Sequence, residues 1–400
     1  MSVRPSLEIL NYHGVPVWRN VIFIRYAMQV FAALAVASVV GFLAVNLMNN
    51  AEQRGVNLSF RLLQTNAGFD VPYSLIPYDS SRSILYAFLA GLSNTIRLVV
   101  IGAVLTTIVG IIIGLARLSS NWLISKLATV YVEGLRNIPL IVFAFFLFYG
   151  LLTTLPQTKE AWRIPGVGVA SNRGIYTTSL DFSSSLVPWL LFVAAGLMAA
   201  YMLRRLFFRY EERLGRLARP LNTKYTLLLI VTAMAVLGWV VQPTAPFSIN
   251  QPVLEGVNFR GGMRFTTEFF AILAALTLYI ASYVAEIVRG AVQSVPGGQL
   301  EAARALGMSY KQVIWNIVLP QAARIAVPPM IGQYVNLTKG SALAIVVGYS
   351  EVFVVSRTAI EKTGLALQIF ILLIVTYLII GVIYSLIGNW YNRKVLIVER

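Results

Sequence analysis

The stretch SNTIRLVVIGAVLTTIVGIIIGLA, residues 93–116, decides the fold. It carries a single charged side chain, Arg97. A helix needs about 20 predominantly apolar residues to cross a bilayer. The apolar residues here run continuously. A barrel strand would alternate apolar and polar positions instead.

Further stretches of the same kind lie at residues 21–47, 127–151, 186–203, 225–241, 269–288, 322–347 and 365–388. Residues 84–90 are also apolar and either extend the second span or form a short helix on the membrane surface. The chain of 400 residues is 58% hydrophobic and 12% charged, with a mean hydropathy of +0.73. A soluble chain of this length needs far more surface charge. The expected fold class is all-α: a polytopic integral membrane protein with about eight transmembrane helices.

The net charge is +16. In a soluble protein that balance suggests nucleic acid, but here the basic residues fall mostly in short loops between apolar spans, so they report topology. With the N-terminus in the cytoplasm the larger share of Arg and Lys lies on the cytoplasmic side, and an even number of spans returns the C-terminus there. The first apolar run is too long for a signal-peptide core and reads as an uncleaved anchor. The loop at residues 204–220 places Leu206, Phe207, Tyr210, Leu214 and Leu217 at near-helical spacing, as in an amphipathic helix lying beside anionic lipid. Cysteine is absent and the single histidine is His13. Thiol chemistry is thereby excluded, and no metal site or His-based catalytic triad is expected.

One cytoplasmic loop stands out, VPGGQLEAARALGMSYKQVIWNIVLP at residues 295–320. Pro296, Gly297 and Gly298 break the incoming helix. Leu300, Ala303 and Leu306 follow at threefold spacing on a short alanine-rich helix over residues 299–306. Gly307 suits a left-handed C-cap position. Ser309 opens a second helix with Gln312 as its capping-box partner, and Met308 and Val313 are placed to staple that start. Pro320 marks a bend into the next span. The small side chains of Ala302, Ala303 and Ala305 let another protein approach closely, and Glu301 adds one exposed charge.

This segment resembles the EAA loop of ABC importer permeases: Glu301-Ala302-Ala303, then Gly307, then Ile317-Val318-Leu319-Pro320. The resemblance implies that Glu301, Ala302, Ala303, Gly307, Leu319 and Pro320 couple the chain to a separate nucleotide-binding subunit. Gly91-Leu92-Ser93-Asn94-Thr95, residues 131–140 (YVEGLRNIPL), residues 285–290 (AEIVRG) and Asn336-Leu337-Thr338-Lys339 are similar to the branch that imports polar amino acids. After Lys339 that branch usually has an acidic or polar residue and a Ser/Thr pair; here Gly340-Ser341-Ala342 stands instead.

The resemblance implies a type I importer core of five helices with extra helices, laid out as in the larger permeases of general amino-acid or glutamate/glutamine/aspartate/asparagine systems. The segments are then 1–90, a cytoplasmic tail, anchor and periplasmic stretch; 91–151, the first part of the core; 152–268, an insertion with two extra spans; and 269–400, the rest of the core with the coupling loop. The implied place is the bacterial inner membrane. The implied partners are two ABC ATPase subunits, a second permease, a periplasmic amino-acid-binding protein and the lipid bilayer, with no nucleic acid. No Gly-Lys-Ser/Thr occurs in the chain, so no Walker A loop can hold ATP phosphates. No cofactor is expected on this chain; ATP and magnesium belong to the partner ATPase, and the chain is not itself an enzyme.

Charges inside the membrane are costly and normally face a polar interior. Arg97, Glu286, Asn336, Thr338 and Lys339 are the candidates for a substrate path, with structural pairing the competing reading for the charged ones. Glu133 and Arg136, three residues apart, are placed to pair on one helix face. A self-contained secondary transporter or channel is the alternative. It predicts matching repeats and broken helices in two halves, which the sequence does not display.

Overall fold

The computed structural model describes residues 11–12, 15–16, 21–53, 59–214 and 223–395. His13 and residues 215–222 of the amphipathic loop lie outside them, and so do the side chains of Phe207, Tyr210 and Leu214.

Each expected span is helical, but not all are single membrane-length helices. Five are long and apolar enough to cross: α1 (Val21–Gln53), α2 (Ile84–Ala116), α5 (Leu186–Leu214, apolar over Leu186–Leu206), α7 (Thr267–Gln293) and α12 (Ala366–Val395). Residues 84–90 belong to α2, so that helix extends the second span.

The third expected span, 127–151, is corrected. It splits into α3 (Trp122–Asn137) and α4 (Leu140–Phe145), the latter continuing as a π-helical stretch through Leu152, with a bend of 107° between the two parts. Pro139 is the cause: the residue before a proline is pushed out of the helical region, and Ile138 is extended at φ −99°, ψ 132°. The fifth expected span is the shorter apolar helix of α6 (Thr223–Val241). The seventh, 322–347, is α10 (Leu319–Gly340), which holds Pro328 and Pro329 and gives way to a tight 3-10 stretch at Ser341–Val346. It is not among the helices that cross by length and composition alone.

The core is built on α2 against α7, with α10 and α3 on other faces of α7. Glycine permits the close approach. A Cβ on Gly110 would lie 2.5 Å from Val284 Cγ1, and one on Gly114 would lie 2.7 Å from the Ala285 carbonyl oxygen. Small residues at helix contacts are how backbones approach inside a bilayer. α5 and α6 form a separate hairpin in the same manner, with Gly238 under Phe192 and the Trp189 indole donating to the Ala235 carbonyl at 2.9 Å.

The chain is not purely α-helical. Trp162–Ile164, Gly168–Ser171, Gly174–Thr177 and Met263–Phe265 form a four-stranded antiparallel sheet, and Ser179–Phe182 pairs with Phe247–Asn250. These strands tie the loop before α5 to the loop after α6. Tyr176 and Val169 of the four-stranded sheet are buried against Phe259 of a further hairpin, Val253–Glu255 with Asn258–Arg260. Strands of three or four residues are too short to print a clear alternation on the sequence.

Candidate functional site

α7 is 27 residues long, about 40 Å at 1.5 Å per residue. The alanine-rich loop follows its C-terminus, and a polar pocket lies at its N-terminus.

At the C-terminal end, α8 (Gly297–Ala305) closes as the sequence predicts. Gly307 takes φ +73°, the Met308 amide donates to the Ala303 carbonyl at 3.1 Å, and the Gly307 amide donates to that of Arg304 at 2.9 Å. That pair of bonds is a Schellman closure. α9 (Tyr310–Val313) starts with the full capping box. Ser309 Oγ accepts from the Gln312 amide, and Gln312 Oε1 accepts from the Ser309 amide at 2.8 Å. Met308 and Val313 pack in one cluster with Val288, Ala291 and Ala303.

One expectation for this loop is corrected. Ala303 is buried in that cluster and faces the chain's own core, so it is not part of the outward surface. The exposed face comprises Glu301, Ala302, Arg304, Ala305, Leu306 and Gly307. At Pro320, expected to mark a bend into the next span, the backbone stays helical. The helix runs from Tyr310 to Gly340 with a π-helical turn at Ile314–Val318. Pro320 has no N–H to give back to the preceding turn, and the widened turn accommodates it. Leu319 and Pro320 are exposed on this helix, and Gln321 ties it to α8 by donating to Gln299.

Just inside this end, Glu286 on α7 is held by Arg117 at the end of α2 and by Arg289, whose Nη2 lies 2.5 Å away. Arg289 also donates to Gln293 at 2.6 Å. Glu286 thus joins the two arginines in a cluster that locks α2 to α7 beside the loop.

The other expected path residues do not gather with it. Arg97 donates to the Tyr349 hydroxyl at 3.0 Å and stacks 4.8 Å over the Phe269 ring. Phe269 and Glu286 are 17 positions apart on α7, roughly 25 Å along its axis. Arg97 and Glu286 therefore cannot grip the two ends of one small solute. Thr338 and Lys339 line a third place, a cavity of about 460 Å³ against α12, where Thr338 meets the Tyr384 hydroxyl at 3.1 Å. Asn336 is exposed and bonds only within its own helix, to Gln333. The Glu133–Arg136 pair does not form. The Arg136 guanidinium reaches across to α7 and lies 5.1 Å over the Tyr283 ring, since a cation over an aromatic face needs no carboxylate partner.

Sequence reasoning missed Glu351. It is fully buried at the start of α11 (Val352–Thr363), where its carboxylate accepts from the Val354 amide at 2.9 Å and from the Thr95 hydroxyl at 3.2 Å. Burial pushes this carboxyl, which lies between the spanning helices, up to about 7 despite those bonds. Asn94 beside it donates to the Ser350 carbonyl at 2.8 Å and to that of Pro72, while a Cβ on Gly91 would lie 2.8 Å from Val355. The Gly91–Thr95 stretch is therefore the seat of α11. The signal was a lone acidic residue, two positions from Tyr349 and from Phe353, in an apolar region.

The opposite-end pocket, about 310 Å³, is lined by Tyr73, Arg173, Arg264, Thr267, Glu268 and Tyr349 among others. It joins three loops distant in sequence to the start of α7.

A family described as "Binding-protein-dependent transport system inner membrane component" matches residues 106–397. The "General L-amino acid transport system permease protein AapQ" of Rhizobium johnstonii is 36% identical over 379 residues, covering 94% of this chain and 94% of that one. The "Putative amino-acid ABC transporter permease protein YhdX" of Escherichia coli is 35% identical over 400 residues, covering 100% of this chain and 98% of that one. The "Glutamate/glutamine/aspartate/asparagine transport system permease protein BztB" of Rhodobacter capsulatus is 33% identical, covering 94% and 95% respectively.

Proposed function

The chain belongs to the family of binding-protein-dependent transport system inner membrane components, and from that premise we propose that it forms the translocation path of an ATP-driven importer of polar or broad-range L-amino acids. Its full-length relatives are named for general L-amino-acid and glutamate/glutamine/aspartate/asparagine transport, which supports the substrate class. Substrate arrives on a periplasmic binding protein and enters between this chain and a second, related permease. Two ATPase subunits on the cytoplasmic side bind and hydrolyse ATP with magnesium. Both termini are cytoplasmic, and the 152–268 insertion stands as an addition to the five-helix core.

The observation that carries this reading is the loop at the end of α7. It presents an exposed face at residues 301–307 on a helix whose inner face is anchored at Ala303. A partner that moves α8 moves α7, because Val288, Ala291 and Val295 pack with Ala303. α7 in turn is joined to α2 through glycine contacts and the Arg117–Glu286 pair. Rigid-body motion of packed helices is how such a push becomes a change of access.

Purification from the native membrane tests this reading. Copurification of an ATPase and a second permease is the expected result. Amino-acid transport by this chain alone in liposomes would overturn it in favour of a self-contained transporter.

A further inference from the structure

The pocket at the N-terminal end of α7 holds opposite charges that do not meet. Arg264 and Glu268 both line it, four residues apart across the start of the helix. Among the described residues, no carboxylate pairs with Arg264 or Arg173, and no cation pairs with Glu268. Arg264 is instead held from behind. Its guanidinium lies 5.3 Å over the Tyr73 ring and 5.6 Å over the Tyr176 ring, and it donates to the Arg173 carbonyl at 3.2 Å. Arg173 is fixed by its bond to Asn258 at 2.6 Å. Stacking leaves guanidinium N–H groups free for a planar anion.

The walls are fixed as well. Tyr73 is the one non-glycine residue with positive φ (59°) among the described residues, a conformation that persists only where the surroundings impose it. Asn94 clamps both the Pro72 and the Ser350 carbonyls on either side of the pocket. Tyr349 faces the pocket on one side and accepts from Arg97 on the other. Arg97 Nε is buried without a hydrogen-bond partner. At about 310 Å³ the space sits at the lower end of small-ligand clefts, ~300–1,000 Å³.

From this geometry we infer that the pocket is an entry site for a free amino-acid zwitterion, with its carboxylate on Arg264 and Arg173 and its ammonium on Glu268. The inference rests on the amino-acid reading above and adds a location to it. An amino-acid zwitterion carries its two charged groups on one carbon, and this pocket offers both complements within one small space. A bidentate carboxylate–guanidinium contact supplies orientation as well as affinity. The side chain of the amino acid then points away from the charged wall, which suits a broad range of substrates. Tyr349 separates this site from Arg97, so Arg97 is the next cation that the carboxylate meets. Arg173 and Arg264 both come from the segment between α4 and α7. That segment thereby supplies half of the entry site.

The test uses the complete transporter, this chain with its copurifying subunits, in lipid nanodiscs and without binding protein. The probe is radiolabelled L-glutamine. Saturable binding is expected, weakened about tenfold or more by Arg264→Gln and by Glu268→Gln, the effect of losing one charged hydrogen-bonded contact. Arg264→Lys keeps the charge but loses the bidentate, stacked guanidinium, so it binds more weakly than wild type and more tightly than Arg264→Gln. N-acetyl-glutamine, which lacks the ammonium, and glutamine methyl ester, which lacks the carboxylate, do not compete. Absence of saturable binding overturns the inference, as does wild-type binding in both neutral variants. Loss of binding-protein-driven uptake in Arg264→Gln with glutamine binding intact also overturns it, and makes the pocket a docking surface for the binding protein. ATP-driven uptake of a labelled L-amino-acid mixture by the wild-type complex separates the two claims. If uptake is present while pocket binding fails, only the entry site falls. If uptake is absent, the amino-acid reading falls with it.

Discussion

Ala303 is 3% exposed, while its neighbour Ala302 on the same short helix is exposed. The two residues divide the alanine-rich helix into an anchored face and a presented one. Ala303→Leu forces extra bulk into the cluster with Val288 and Val313. We expect a loss of about 1–3 kcal/mol, read as a lower unfolding temperature in detergent. Ala302→Leu, on the exposed face, stays within about 0.5 kcal/mol of wild type but weakens copurification of the ATPase. Equal destabilisation by both changes would show that the helix is not oriented this way.

The contact between α2 and α7 predicts a second contrast. A side chain at Gly114 would strike the Ala285 carbonyl oxygen and Val288, whereas one at Gly134 on α3 meets nothing within 4 Å. Gly114→Val should lower stability by about 1–3 kcal/mol. Gly134→Ala should be neutral or stabilising by about 0.4–1 kcal/mol through the unfolded chain. Thermal unfolding of the two purified variants beside wild type decides the point.

Glu351 predicts a pH dependence. Its carboxyl is raised from 4.5 to about 7 by burial, so the folded state holds the proton more tightly than the unfolded state. Stability from this group is full below the unfolded value, declines as pH rises between the two, and levels off above the folded one. Unfolding temperatures measured from about pH 5 to about pH 8 should fall in the wild type. In Glu351→Gln that component should be absent, because the amide oxygen keeps the cap on Val354 without a titrating proton.

Much of this was legible in the sequence. Continuous apolar runs reveal helices that meet lipid, and Gly307, Ser309 and Gln312 reveal the loop because capping is local chemistry. What the sequence concealed was tertiary. Pro139 was visible, but the apolar run on both sides of it hid the 107° bend. Alanine has no polarity to mark its face, so Ala302 and Ala303 read alike until their packing was known. Glu133 and Arg136 had pairing distance along one helix, yet the Tyr283 ring on α7 captured the arginine. The expected path residues are spread over α2, α7 and α10 because span number gives no depth and no facing. The pocket at the N-terminus of α7 draws on Tyr73, Arg173, Arg264 and Tyr349, and no local spacing links positions so far apart.

The central claim, that this chain is driven by a separate ATPase through the exposed residues 301–307, is tested most directly at Gly307, whose φ of +73° suits glycine and whose substitution alters the presented turn. The measurement is ATP-driven amino-acid uptake into proteoliposomes containing the whole transporter and its binding protein, comparing wild type with Gly307→Asp. The account predicts loss of uptake and of ATPase association, with the variant present in the membrane at wild-type abundance. Unchanged uptake with normal ATPase binding would contradict it.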